Sequence, residues 1–141
     1  MWSALAGGMK AKCLRDLLVY QRSLELGVAV TAILEAPAFR KDCKARDQLR
    51  DACDSVVANI AEGFPQPSDR AFARFLAISR ASAAEVRSRL QLAVDRNYVQ
   101  SADIRTCDDL AEQVARMTTA LIQYLRHTDR HDRWLARDEN D

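Results

Sequence analysis

Apolar side chains recur every three or four positions along most of this chain, and no strand-length run alternates strictly. That spacing predicts helices and no sheet. The first helix is expected over about 15–36, with Leu14, Leu17, Gln21, Leu24, Val28 and Thr31 as its inward seam. Pro37 ends it, because the residue before a proline resists the helical region. The stretch AFRKDCKAR then reads as a basic connection. The second helix is expected over 43–62, with the stripe Leu49, Cys53, Val56 and Ile60. Gly63 is read as its C′ residue, taking positive φ without penalty, and the stiff FPQP loop follows.

Ser68 is a good N-cap for the third helix, with Asp69 at the positive end of the dipole. Its stripe is Phe72, Phe75, Leu76, Ser79, Ala83, Val86, Leu90 and Val94, and it persists to about Arg96 before Asn97 and Tyr98 close it. Ser101 caps the fourth helix, with Asp103 in its first turn and the stripe Ile104, Cys107, Leu110, Val114, Met117, Leu121 and Tyr124. Four long helices with short connections imply an all-α fold, an antiparallel up-down-up-down four-helix bundle. The expected organisation is a flexible N-terminus over 1–12, starting at Met1 or Met9, the bundle over 13–126, and a charged tail over 127–141.

Charge changes this picture more by place than by amount. The net charge is +1, so binding nucleic acid through the whole surface is not expected. Residues 1–50 carry nine basic and five acidic side chains, 51–67 none and three, 68–100 six and three, and 101–141 six and nine. Cys13, Cys43, Cys53 and Cys107 form no CxxC pair or zinc spacing, and the two in apolar seams read as small buried hydrophobes. There is no basic n-region of a secretory leader and no apolar run of membrane length, so a cytoplasmic protein with reduced thiols and no membrane is expected.

Site chemistry is sparse. His127 and His131 are spaced i, i+4 beside Asp132, but they lie in the charged run, which reads as a solvated end. No Glu-x-x-His motif, phosphate loop or nucleophile–base arrangement occurs, so no metal, no cofactor and no enzyme activity are expected. The segment VANIAEG places Asn59 and Glu62 three apart, as a catalytic pair might be placed. Helical geometry separates them: Asn59 lies about 90° from the stripe, at a boundary, and Glu62 points outward. Asn59 is expected to hold the end of its helix against its surroundings, so that Asn59→Ala costs roughly 1–3 kcal/mol if its bonds are buried. On the third helix Arg80 and Arg87 occupy one flank and Arg89 and Arg96 the other, with Glu85 and Arg89 in the favoured i, i+4 order. These arginines read first as a solvated, ion-paired surface and second as contacts to a partner subunit or nucleic acid. The small residues of AISRASAA (77–84) permit close helix approach, or form a plain alanine-rich helix.

Three stretches, DLLVYQRSLEL (16–26), QLRDACDSVVANIAEG (48–63) and FARFLAISRASAAEVRSRL (72–90), together resemble the four-helix-bundle proteins encoded in bacterial 23S rRNA intervening sequences. Those proteins are relatives of the accessory variability determinants of diversity-generating retroelements. The resemblance spans about 14–125 and keeps NIAEG intact. It implies a ring-like homo-oligomer, a pentamer, and through the retroelement relatives a basic surface for nucleic acid and a reverse transcriptase. The departures Asp51, Asp54 and Gln66 remove positive charge or apolar character that the family pattern carries. Ala81 stands for its glycine, and Tyr20 for its usual tryptophan.

The expected function is a non-catalytic oligomeric accessory protein that associates with RNA or DNA, foremost structured rRNA. Its candidate contacts are Arg40, Lys41, Lys44, Arg46, Arg50, Arg80 and Arg87. Asn59, Gly63, Ala81, Ser82 and Glu85 are the candidate structural and interface residues. The alternative is a protein-interaction scaffold without direct nucleic-acid binding, favoured by the near-neutral charge and Asp51.

Overall fold

In a computed structural model the backbone is described for residues 11–138 and side chains for residues 11–127. The expected flexible segment 1–12 and its two start positions therefore fall almost wholly outside the described residues, as do the side chains of His131 and Asp132. All regular structure among the described residues is helical: a single 3-10 turn, Leu14–Asp16, then α1 (Leu18–Ile33), α2 (Pro37–Lys41), α3 (Cys43–Gly63), α4 (Asp69–Asp95) and α5 (Ser101–Asp138). α5 thus runs past Arg126, where the sequence suggests the start of a tail. No helix among them is long and apolar enough to cross a membrane.

α1 packs on α3 and α5, and α4 packs on the same two helices, so the four long elements share one core. Leu49, Val56, Ile60, Leu76, Val86, Leu90, Val114 and Leu121 are fully buried in it. Each such side chain contributes roughly 1.5–3 kcal/mol by leaving water. Contacts between α3 and α4 run in opposite numerical order: Gly63 meets Phe72 and Phe75, Ser79 Oγ donates to the Val56 carbonyl at 2.8 Å, and Arg89 reaches Gln48. The α4–α5 contacts do the same, with Arg80 at Thr119 and Arg87 at Asp108. Cys53 and Cys107 are buried, as their seams suggest, and burial pushes their thiols up to about 12 and about 11; Cys13 and Cys43 are exposed.

The stripes expected for α3, α4 and α5 are all buried or half-buried, but the first helix differs in two ways. Leu17 is extended, φ −72° and ψ 117°, so one 3-10 turn and a shorter α-helix replace the continuous helix 15–36. Its inward seam is Val19, Ser23, Leu26, Val30 and Ile33, whereas Leu24 and Val28 of the expected seam are 41% and 74% exposed. Almost every position of α1 is apolar or small, so two seams compete and periodicity alone picks the wrong one.

α1 ends at Ile33 in a turn, short of the expected 36, and Pro37 initiates the next helix. Ala36 before it is extended, as pre-proline residues prefer, and Pro37 is the first residue of α2, where its missing N–H costs nothing. The expected basic connection is therefore a short helix anchored by buried Phe39, followed directly by α3. Asp42 caps α3, accepting from the Ala45 N–H at 3.0 Å.

Ser68 caps α4 by accepting from the Ala71 N–H at 3.1 Å. Asn97 closes α4 at φ 60°, with the Tyr98 N–H on the Ala93 carbonyl and the Asn97 N–H on the Val94 carbonyl, the paired bonds of a left-handed helix stop. Ser101 is the first residue of α5 and not its side-chain cap; Asp103 instead accepts from the Gln100 N–H at 2.9 Å.

Gly63 also departs from expectation. It is the last residue of α3, outside the left-handed region, and Phe64 continues with helical φ and ψ. A Cβ there would stand 2.7 Å from Phe75 Cβ and 2.9 Å from Phe72 Cδ2. The glycine is needed for close approach of α4, not for a turn.

Candidate functional site

The corner formed by α2 and the start of α3 gathers positive charge. Arg40 and Lys41 sit in the last turn of α2 and Lys44 in the first of α3, all exposed, with half-buried Arg46 and exposed Arg50 on the turns that follow. The end of α4 joins them because Tyr98 donates its hydroxyl to Asp42 at 2.7 Å and meets Phe39 edge-to-face, ring centroids 5.7 Å apart. This clasp brings Arg96 beside Asp42. Two turns further into α4, Arg89 donates to Gln48 at 3.0 Å and pairs with Glu85 at 2.9 Å.

Two carboxylates register this cationic surrounding. Asp42 is held below the usual carboxylate range by the Ala45 N–H and the Tyr98 hydroxyl, helped by the charges of Arg96 and Lys44. Glu35 is held down first by its bond to Arg40, then by the fields of Arg46 and Arg50. Arg40 and Arg50 also have exposed ion-pair partners, Glu35 at 2.8 Å and Asp47 at 3.8 Å. Exposed pairs of this kind are worth little and exchange easily for another anion. Lys41, Lys44 and Arg96 have no ion-pair partner among the described residues, and the Nε of Arg46 is buried without a hydrogen-bond partner.

The seven basic candidates thus separate. Arg40, Lys41, Lys44, Arg46 and Arg50 lie around one corner but on two sides of it: Arg40, Arg46 and Arg50 act on Glu35, whereas Lys44 acts with Arg96 on Asp42. Arg80 and Arg87 lie apart from it, against α5. Arg80 donates to Thr119 at 3.3 Å. Arg87 grips Asp108 with two bonds, 2.9 and 3.3 Å, and that hydrogen bonding, with the charges of Asp108, Glu112 and Asp109, holds its guanidinium more firmly protonated. Arg96 joins the corner and was missed as a contact residue. Its only sequence signal is a place at the end of a helix that must return toward α3; the Asp42–Tyr98 bond that fixes it spans 56 positions.

The structural candidates also divide. Ala81 and Glu85 are on the exposed face of α4. Ser82 is 8% exposed, and its hydroxyl lies 2.7 Å from that of Ser55. The hydrogen bonds of the Asn59 side chain stay within its own helix: its amide donates to the Ser55 carbonyl and hydroxyl, one turn back on α3, at 2.8 and 3.1 Å. Its reach to α4 is indirect, through Ser55 and Ser82. Asn59→Ala leaves the Ser55–Ser82 bond in place and gains helix propensity, so a cost below about 1 kcal/mol is expected, less than burial of its bonds would imply. Chemical denaturation of this variant tests that value; a loss of several kcal/mol would show that the side chain itself joins the helices.

Among the described residues no group of His, Cys, Asp and Glu is placed to hold a metal ion. The arrangement can offer phosphate oxygens a set of exposed cations on a rigid helical corner.

The model of the 23S rRNA-intervening sequence protein family matches residues 15–120. A solved structure described as a protein with unknown function from the S23 ribosomal protein family of Bacteroides thetaiotaomicron VPI-5482 is similar to this chain, with a TM-score of 0.68 at 21% identity. The match covers 74% of this chain and 97% of that one, and at such identity it speaks for the fold. No curated protein matches.

Proposed function

The chain belongs to the 23S rRNA-intervening sequence protein family, and from that premise we propose that it is a non-catalytic, cytoplasmic accessory protein that binds structured RNA, with rRNA as the first candidate. In this reading the four long helices form an up-down-up-down bundle, supported by the opposed order of the α3–α4 and α4–α5 contacts. The bundles assemble into a ring-like homo-oligomer, a pentamer, that repeats the basic corner around its circumference.

The observation that carries the RNA reading is the gathering of Arg40, Lys41, Lys44, Arg46, Arg50 and Arg96 at one corner of a chain whose net charge is only +1. Each phosphate neutralised there releases counterions, so binding draws on local charge and not on the total. Titration of a labelled 23S rRNA helix with the protein at low ionic strength, read by fluorescence anisotropy, is expected to saturate. A flat titration up to tens of micromolar protein, weaker than ordinary non-specific binding, overturns the reading.

A second reading is a protein-interaction scaffold, including one for a reverse transcriptase as in the retroelement accessory proteins. What favours it is the apolar exposure of α1, where Val28 is 74% and Leu24 41% accessible.

A further inference from the structure

We propose that the groove between α1 and α3 receives the outer face of α4 from a second copy of this chain. The proposal rests on the homo-oligomer reading above and adds which surfaces meet.

Leu24, Gly27 and Val28 of α1 and Asp54, Val57 and Ala58 of α3 line an open, mostly apolar groove. Monomeric proteins rarely leave a contiguous apolar strip uncovered without use. Gly27 is the telling residue. It sits inside a helix, where glycine is less favourable than alanine, yet a Cβ there would meet nothing within 4 Å. Nothing within the chain requires a glycine at this point. A backbone approaching from outside does.

The face that fits lies on α4. Ile78 is 49% and Leu92 41% exposed, and Ala81 between them is exposed and small. Arg74 and Arg70, exposed and without an ion-pair partner among the described residues, lie one and two turns before Ile78. At 100° per residue Arg74, Ile78, Ala81 and Leu92 fall within a sector of about 60°.

The groove offers the opposite charge: Asp54 lines it, exposed and likewise unpaired, and residues 51–67 contain three acids and no base. Ile78 seats between Leu24 and Val28 over Gly27, Ala81 permits the close approach, and Arg74 meets Asp54. Groove and face are different surfaces of one chain, so the contact is head-to-tail, and repetition closes a ring if the rotation allows.

The test compares four variants by size exclusion with light scattering across a dilution series. Gly27→Leu fills the groove without touching the chain's own packing. Asp54→Arg and Arg74→Asp each place like charges together, and the fourth variant carries both exchanges. The wild type is expected to assemble. Each single variant should keep its helical circular dichroism and dissociate at a concentration about tenfold higher or more, with the double exchange recovering much of the loss. Assembly unchanged in Gly27→Leu and in both charge variants overturns the groove contact while the oligomer reading stands. A wild type monomeric at micromolar concentration overturns both.

Discussion

Replacing Gly63 by alanine is expected to destabilise the protein by about 1–2 kcal/mol, although alanine is the better helix former. The added Cβ would stand 2.7 Å from Phe75 Cβ. That atom is fixed to the α4 backbone, so no change of rotamer clears it. The second conflict, 2.9 Å to the Phe72 ring edge, could be relieved only by moving a side chain that is 4% exposed and packed edge-to-face on Phe64. α3 and α4 must therefore separate, loosening contacts along both helices. Overpacking typically costs about 1–3 kcal/mol, and relief of the glycine penalty returns at most about 1. A melting temperature lower by roughly 2–8 °C follows for a chain of this size. Gly27→Ala is the matched control within the chain, since its Cβ meets open space there; compared below the concentration at which copies associate, its melting temperature should equal or exceed that of the wild type. Equal melting of Gly63→Ala and wild type would show that α4 does not approach as closely as described.

Affinity for RNA is expected to fall steeply with salt. Five or six phosphate contacts at the α2–α3 corner give a log–log slope of about −4 to −5, so raising salt from about 50 to 200 mM weakens binding roughly 10²–10³-fold. Neutralising Lys41, Lys44 and Arg96 together should reduce the slope by about 2–3, because none of them is held in an ion pair by a protein carboxylate. Neutralising Arg80 and Arg87 should change it far less, since both already serve α5: one holds Thr119 and the other is bound at two points by Asp108. If the second pair lowers the slope as much as the first trio, the contact surface lies along α4 and α5 and not at the corner.

These two predictions differ in how far the sequence alone could have carried them. The inward stripes of α3, α4 and α5 were legible because polar and small residues outnumber large apolar ones off each stripe. That of α1 was not, because LVYQRSLELGVAVTAI offers apolar positions on nearly every side, and the choice of face is made by what packs on it. Gly63 at a helix end looks like a stop by local rules, and only the position of Phe75 on another helix shows it to be a contact. Likewise five of the basic candidates are close in sequence and stay close in space, so their grouping was visible. Separating Arg80 and Arg87 from them, and adding Arg96, required knowing where Asp108 and Tyr98 lie. Asn59 lies half-buried at the edge of its stripe, as its angle on the helix implies, but its partner is the previous turn of its own helix, which no distant residue specifies.

The distribution of the four cysteines has a practical consequence for spectroscopy. Cys53 and Cys107 are buried with thiols that stay protonated near neutral pH, while Cys13 and Cys43 are open to solvent. Cys43 stands between Lys41 and Lys44, within the basic corner. With Cys13 exchanged for serine, a thiol-reactive fluorophore attaches at one native position, beside the surface where RNA is expected, and the core needs no alteration to install the reporter.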